Sequence, residues 1–283
     1  MTHPKMSSRL LIVILSIFFL QACGIKFWYN RLDWVVPWYL DDYVELTSQQ
    51  EDTLEKLLEL KTEWHRSSEL PKYVSMLNRM ETDIKSGAIH QTYDRYRRDM
   101  RGFYSTLIEE LSDDIVAQTA TLSDEQVKQL MDNLDKEAKK QYKEFQELSE
   151  QKRQEERIEQ LEKSFSEWIG RLSKEQKSLI KEMASLLKSS GEATHQYRAK
   201  WRDAFRTALT ERKTESGQAA IKSLITDPYQ VGGEELNKIR EYNGSIYKEY
   251  QLKIYRTLSA KQKRHLLEEI ADYREDFEDL IDD

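Results

Sequence analysis

Leu122-Ser123-Asp124-Glu125-Gln126 heads an apolar stripe at Val127, Leu130, Leu134, Ala138, Tyr142, Phe145 and Leu148. Steps of three and four residues put those side chains along one face of a helix. The mark ahead of them is a capping box. In such a box the Ser123 hydroxyl accepts from the N3 amide, and the N3 side chain, Gln126, reaches back to the Ser123 amide. Each such cap stabilises its helix by on the order of 1 kcal/mol. The same Leu-[Ser/Thr]-x-x-Gln mark recurs at Leu46 to Gln50, Leu172 to Gln176 and Leu258 to Gln262. The expected caps are therefore Thr47 with Gln50, Ser123 with Gln126, Ser173 with Gln176 and Ser259 with Gln262.

Outward from this stretch the helical period continues. Leu54, Leu57, Leu58, Lys61 and Trp64 mark a helix expected to stop before Pro71, because proline disfavours helical geometry in the residue before it. Tyr73, Met76, Leu77, Met80 and Ile84 mark another, closed by Gly87. A third runs from Ile89 through Ile115, and Ile158, Leu161, Phe165 and Trp168 resume the stripe that began at Val127. Between them, residues 149–157 contain no apolar side chain and read as an exposed bridge. The chain has 9 Gly and 4 Pro, and 34% of its residues are charged, a composition that favours helices over sheet.

The four marks pair by spacing, Leu46 with Leu122 and Leu172 with Leu258. The expected fold is all-α: an elongated bundle of two similar halves, 46–157 and 158–283, joined by a long charged helix. Duplication and independent capping both fit the four marks.

At the other end, Lys5 and Arg9 precede the apolar run Leu10 to Leu20, then Gln21-Ala22-Cys23. A basic start, a short apolar core and a small residue before the cut read as a signal peptide over residues 1–22. The run is short for a membrane span, which needs about 20 apolar residues. Cys23 is the only cysteine, so no disulfide forms within the chain. Its place resembles the lipobox of bacterial lipoproteins. That resemblance implies a Cys23 carrying palmitate-type acyl chains on thiol and amine, which together anchor stably where one chain is marginal. Gly24, in place of an inner-membrane retention aspartate, implies the outer membrane, with the protein facing the periplasm. The plainer alternative is an ordinary signal peptide.

Residues 23–45 form an aromatic-rich segment. Phe27, Trp28, Tyr29, Trp34, Trp38, Tyr39 and Tyr43 make seven of the seventeen residues from 27 to 43 aromatic. Trp28, Tyr29, Trp34, Trp38 and Tyr39 are candidates for membrane or partner binding, since Trp and Tyr favour headgroup boundaries and binding hot spots. Folding back onto the helical core is the third reading. Trp28-Tyr29-Asn30-Arg31-Leu32-Asp33-Trp34 with Trp38-Tyr39-Leu40-Asp41-Asp42-Tyr43-Val44 resembles the opening of an uncharacterised family of proteobacterial lipoproteins. The Leu-Thr-x-x-Gln marks resemble the Spy and CpxP family of periplasmic helical proteins, which bind unfolded proteins and damp envelope stress signalling.

Two charged features stand out. Arg95, Arg97, Arg98 and Arg101 lie among Tyr93, Tyr96 and Tyr104, reading as a solvated face or an anion site. The C-terminal stretch from Glu268 to Asp283 is strongly acidic, reading as a solubilising tail or a docking end. Overall, 51 acidic residues exceed 44 basic ones; without Lys5 and Arg9 the count is 42 against 51, a balance of −9. That sign argues against a nucleic-acid partner. His65, His90, His195 and His265 are dispersed, with no metal-binding spacing or phosphate loop, so neither metal, cofactor nor enzymatic activity is expected. The expected function is a non-enzymatic binding or chaperone-like role in envelope maintenance, with an envelope protein partner. The alternative is a structural or assembly subunit docking on a membrane complex through the aromatic block.

Overall fold

The computed structural model describes residues 23–283; the expected signal peptide, 1–22, lies outside the described residues. Among the described residues there is no strand, and the chain is all-α. In order the helices are α1 (Cys23–Tyr29), α2 (Leu32–Leu40), α3 (Ser48–Trp64), α4 (Leu70–Ser86), α5 (Ile89–Thr121) and α6 (Asp124–Glu147). They continue with α7 (Glu150–Ile169), α8 (Lys174–Leu186), α9 (Gly191–Thr210), α10 (Glu215–Thr226), α11 (Glu234–Arg256) and α12 (Ala260–Asp282).

All four capping boxes form, closed by both the hydroxyl and the glutamine. They also meet in pairs. Gln50 Nε2 donates to Gln126 Oε1 at 3.2 Å while Gln126 Nε2 donates to Gln50 Oε1 at 2.7 Å. Gln176 and Gln262 do the same at 3.1 and 2.9 Å. Each pair is tied further to the residue just ahead of the partner's leucine. Gln126 donates to the Glu45 carbonyl at 2.7 Å, and Gln262 to the Arg171 carbonyl at 3.1 Å. Gln50 reaches the Thr121 carbonyl at 3.1 Å, and Gln176 the Thr257 hydroxyl at 3.2 Å. One arrangement is thus built twice.

The stretches 46–157 and 158–283 nevertheless share cores. Leu70, Tyr73, Met76, Leu77 and Ile84 of α4 pack with Ile270, Phe277 and Leu280 of α12, with Ile25 of α1 in the same cluster. Val116 of α5 and Met131 of α6 pack with Phe205, Ala208 and Leu209 of α9 and Ile221 and Leu224 of α10. Ile180 and Met183 of α8 pack on Ile254, Ile246 and Tyr250 of α11. Helix α5, with 33 residues, runs about 50 Å at 1.5 Å per residue. It enters the first core at Tyr96 and the second at Val116.

Two expected features differ. The charged helix expected to join the halves is interrupted at Leu148, whose backbone is extended (ψ 127°). Ser149 caps α7 by accepting from the Lys152 amide at 3.2 Å. Arg153 fills the end of α6, donating to the Phe145 and Leu148 carbonyls at 3.0 and 2.5 Å. The other difference is at Pro71, where no stop occurs. The helix widens into a π turn over His65–Glu69 and resumes as α4, with Pro71 in its first turn, where no N–H is needed. Gly87, at φ +77°, ends α4 as expected, a conformation in which a side chain would be strained.

Candidate functional site

The π turn is where the N-terminal segment docks. Ile25 is buried beside Leu70 and Tyr73. Lys26 pairs with Asp279 and lies 3.8 Å from Asp276, both on α12. Asn30 donates to Asp283 at 3.1 Å and accepts from Arg66 at 2.6 Å. The Tyr29 hydroxyl lies 2.9 Å from His65 Nδ1, and His65 Nε2 lies 3.2 Å from the Tyr73 hydroxyl. Burial pushes the His65 pKa below 6.5, so the ring is neutral at pH 7, with one nitrogen donating and the other accepting. Burial also raises both phenols, Tyr73 to about 12, which keeps them protonated. Buried Glu69 accepts from Lys72 at 2.6 Å, and its second oxygen has no hydrogen-bond partner.

Asp276 is buried, with one oxygen likewise unpartnered. Burial pushes its carboxyl up to about 6, against the opposing charge of Lys26. A folded-state value above the ordinary 3.8 means the folded state holds the proton longer than the unfolded chain does. The stability linked to this group is whole below about pH 4 and is lost as pH rises through 6. Asp276→Asn is therefore expected to stabilise the protein by about 2 kcal/mol at pH 7 and by nothing near pH 4. Denaturant midpoints at the two pH values measure the difference.

The outer side of the segment is different in character. Phe27, Trp34 and Trp38 are 56%, 58% and 43% exposed. Trp34 and Trp38, one turn apart, stack at 6.1 Å and 14°. Helix α2 reads LDWVVPWYL, and none of its residues is buried. Trp28 and Tyr39 are half-buried. Tyr39 donates to the Tyr43 hydroxyl at 3.3 Å, and the Tyr43 carbonyl accepts from Asn133 at 3.0 Å. The structure thus divides the aromatic block: Tyr29, Tyr39 and Tyr43 face the body, while Phe27, Trp34 and Trp38 face out. Cys23 is the first residue of α1.

The arginine-rich part of α5 is divided: Arg98 and Arg101 are exposed, and Arg95 and Arg97 are engaged within the molecule. Arg95 bonds Asp83 at 2.6 Å and lies over the Tyr96 ring, and Arg97 lies 3.5 Å from the Gly244 carbonyl. Asp94 pairs with Lys248 at 2.6 Å, and Tyr93 donates to Gln251. An open groove of about 500 Å³ between α4 and α5 is lined by Pro71, Asn78, Arg79, Asp83 and Arg95, whose charges are paired among themselves and with Asp99. The acidic end of α12 is met by Lys26 and Asn30 of the N-terminal segment, while Arg274 of α12 bonds Glu81 of α4 at 2.5 Å. Among the described residues, no group of three or more His, Cys, Asp or Glu is arranged to hold a metal ion. No described helix is long and apolar enough to cross a membrane.

One residue outside the expected set organises a junction. Arg212, 3% exposed, donates twice to the Leu122 carbonyl at 3.0 and 2.8 Å. It also donates to the Leu209 carbonyl at 3.0 Å and to Asp124 at 2.6 Å. It thereby locks the α9–α10 turn onto the start of α6.

A model of the family of unknown function DUF6279 matches residues 42–237. That span begins after α2 and stops near the start of α11. No curated protein matches the chain, and no solved structure matches it.

Proposed function

Because the chain belongs to DUF6279, a family of unknown function, we propose its role from its own geometry. It is a lipid-anchored protein of the bacterial envelope, held at the outer membrane through Cys23 and facing the periplasm. Its role is non-enzymatic, and its α1–α2 segment is a docking surface. The observation that carries this reading is α2, an apolar nine-residue helix with none of its residues buried, set shortly after the one cysteine. Contiguous exposed apolar surface on a folded chain marks an interaction site. The inner side of the same segment is pinned by Ile25, Lys26, Tyr29 and Asn30, so the exposed face is held in one orientation. A client-holding, chaperone-like role has less support. Elsewhere, exposed large apolar side chains are scattered: Leu60 on α3, Leu186 on α8 and Tyr247 on α11 stand singly, and only Met100 and Tyr104 on α5 lie one turn apart.

Intact-mass measurement of the native protein should show Cys23 as the acylated amino terminus; an unmodified Cys23 would remove the anchor from this reading. Photo-crosslinkers placed at 34 and 38 in cells should capture envelope material that one at exposed Lys139 on α6 does not. Equal capture from both places would remove the docking surface. Trp34→Ala with Trp38→Ala should weaken docking at least about tenfold, as loss of aromatic hot-spot residues does. Folding stability should stay within about 0.5 kcal/mol for each exposed site.

A further inference from the structure

We propose that the surface covering the α1–α2 face is a phospholipid bilayer, met at headgroup depth by Phe27, Trp34 and Trp38. This rests on the docking reading above and names its partner. A helix apolar on all sides belongs in a core or in lipid. In α2, Asp33 is the one charged residue among nine, and no residue of the helix is buried. The body covers this helix on one side only, leaving Trp34 and Trp38 exposed on the other.

Position favours lipid over another protein. The apolar run Leu10 to Leu20 stands just ahead of α1, whose first residue is Cys23. Whether acyl chains or that run enter the hydrocarbon, the chain leaves it at α1. Ile25, two residues on, is already buried in the main core. Two residues span at most about 7 Å, so the tether has no slack and α1–α2 must lie against the surface it leaves. The side chains suit that depth, since tryptophan joins a large apolar ring to an N–H and favours the membrane–water boundary. Charge does not drive the contact. Lys26 is paired inward with Asp279, and Arg31, which lies over the Phe27 ring, shares its segment with Asp33, Asp41 and Asp42, so there is no basic cluster to require anionic lipid.

The test is tryptophan fluorescence of the full chain on phosphatidylcholine vesicles whose acyl chains are brominated near the headgroup. Wild-type fluorescence should be quenched, and the quenching should drop at least about twofold in a Trp34→Phe/Trp38→Phe variant. It should not change with added phosphatidylglycerol or with salt. Unchanged melting of the double variant separates this result from misfolding. A Cys23→Ala full chain cannot be acylated at that position but keeps the apolar run, and it should be quenched as strongly as the wild type. Failure of the lipid anchor is therefore read from mass alone and leaves this test standing. The proposal is overturned if vesicle-bound protein is quenched equally with and without Trp34 and Trp38. It is also overturned if quenching requires anionic lipid, or if crosslinks from position 34 yield one stoichiometric protein in place of lipid.

Discussion

Arg212→Ala is expected to lower the unfolding free energy by about 3–5 kcal/mol, the largest effect of any single replacement considered for this chain. The guanidinium is buried, and its bonds to the Leu122 carbonyl join residues 90 apart in sequence. Removing it strands the Leu122 carbonyl next to the Ser123 cap and opens a void between α6 and the α9–α10 turn. Each buried acceptor left without a donor costs about 1–3 kcal/mol. Arg212→Lys should recover little, because a single ammonium cannot reproduce the fork that reaches Leu122, Leu209 and Asp124 together. Asp124→Asn should cost under about 1 kcal/mol, since that carboxylate is exposed. Urea unfolding of the three variants tests the set. A loss for the alanine variant no larger than that for Asp124→Asn would show that water takes over the guanidinium's bonds.

Gln176→Ala is the second large effect, expected to cost about 2–4 kcal/mol. Gln176 is 0% exposed, and four bonds depend on its side chain: the capping bond from the Ser173 amide, the two exchanged with Gln262 and the link to Thr257. Gln126→Ala, in the more open copy of the arrangement, should cost about half as much, because water can reach part of that pair. Replacing Gln176 and Gln262 together by Leu should cost less than the sum of the two single changes. The singles each leave an amide facing an apolar neighbour, and the double does not. Additive losses in that cycle would mean that the two side chains do not communicate.

The helices were legible because their signals are local. Stripes such as Val127 to Leu148 and the boxes at Thr47, Ser123, Ser173 and Ser259 are written within a few residues of where they act, and α3 to α12 follow them. The break at Leu148 was written the same way. Leu148-Ser149-Glu150-Gln151-Lys152 is a fifth Leu-Ser mark with Lys where the others carry Gln, and Ser149 caps without its partner. What was not legible is long-range. The exchange of Gln50 with Gln126 joins residues 76 apart, and that of Gln176 with Gln262 residues 86 apart. The similar spacing of the two pairs of marks pointed to kinship but carried no statement of contact.

Charge was the least legible property. In a chain with 34% charged residues, nothing local separates Arg212 or Asp276 from their solvated neighbours. Asp276 sits in an acidic run, and only the docking of α12 on α4 buries it. The aromatic block was visible as a block, but its division was not. The inward turn of Tyr29 depends on His65, which the π turn brings up 36 residues later. Trp34 and Trp38 face outward because the body covers only the other side of α2.

The reciprocal glutamine pairs also constrain how such chains can diverge. An amide that loses its opposite number keeps its cap but gives up both exchanged bonds in a place wholly or partly closed to water, so a lone replacement at 50, 126, 176 or 262 is a step downhill in fitness. Across relatives these positions should change two at a time, 50 with 126 and 176 with 262. Each couple should drift independently of the other, leaving a covariation signature that a sufficiently deep collection of related sequences would display.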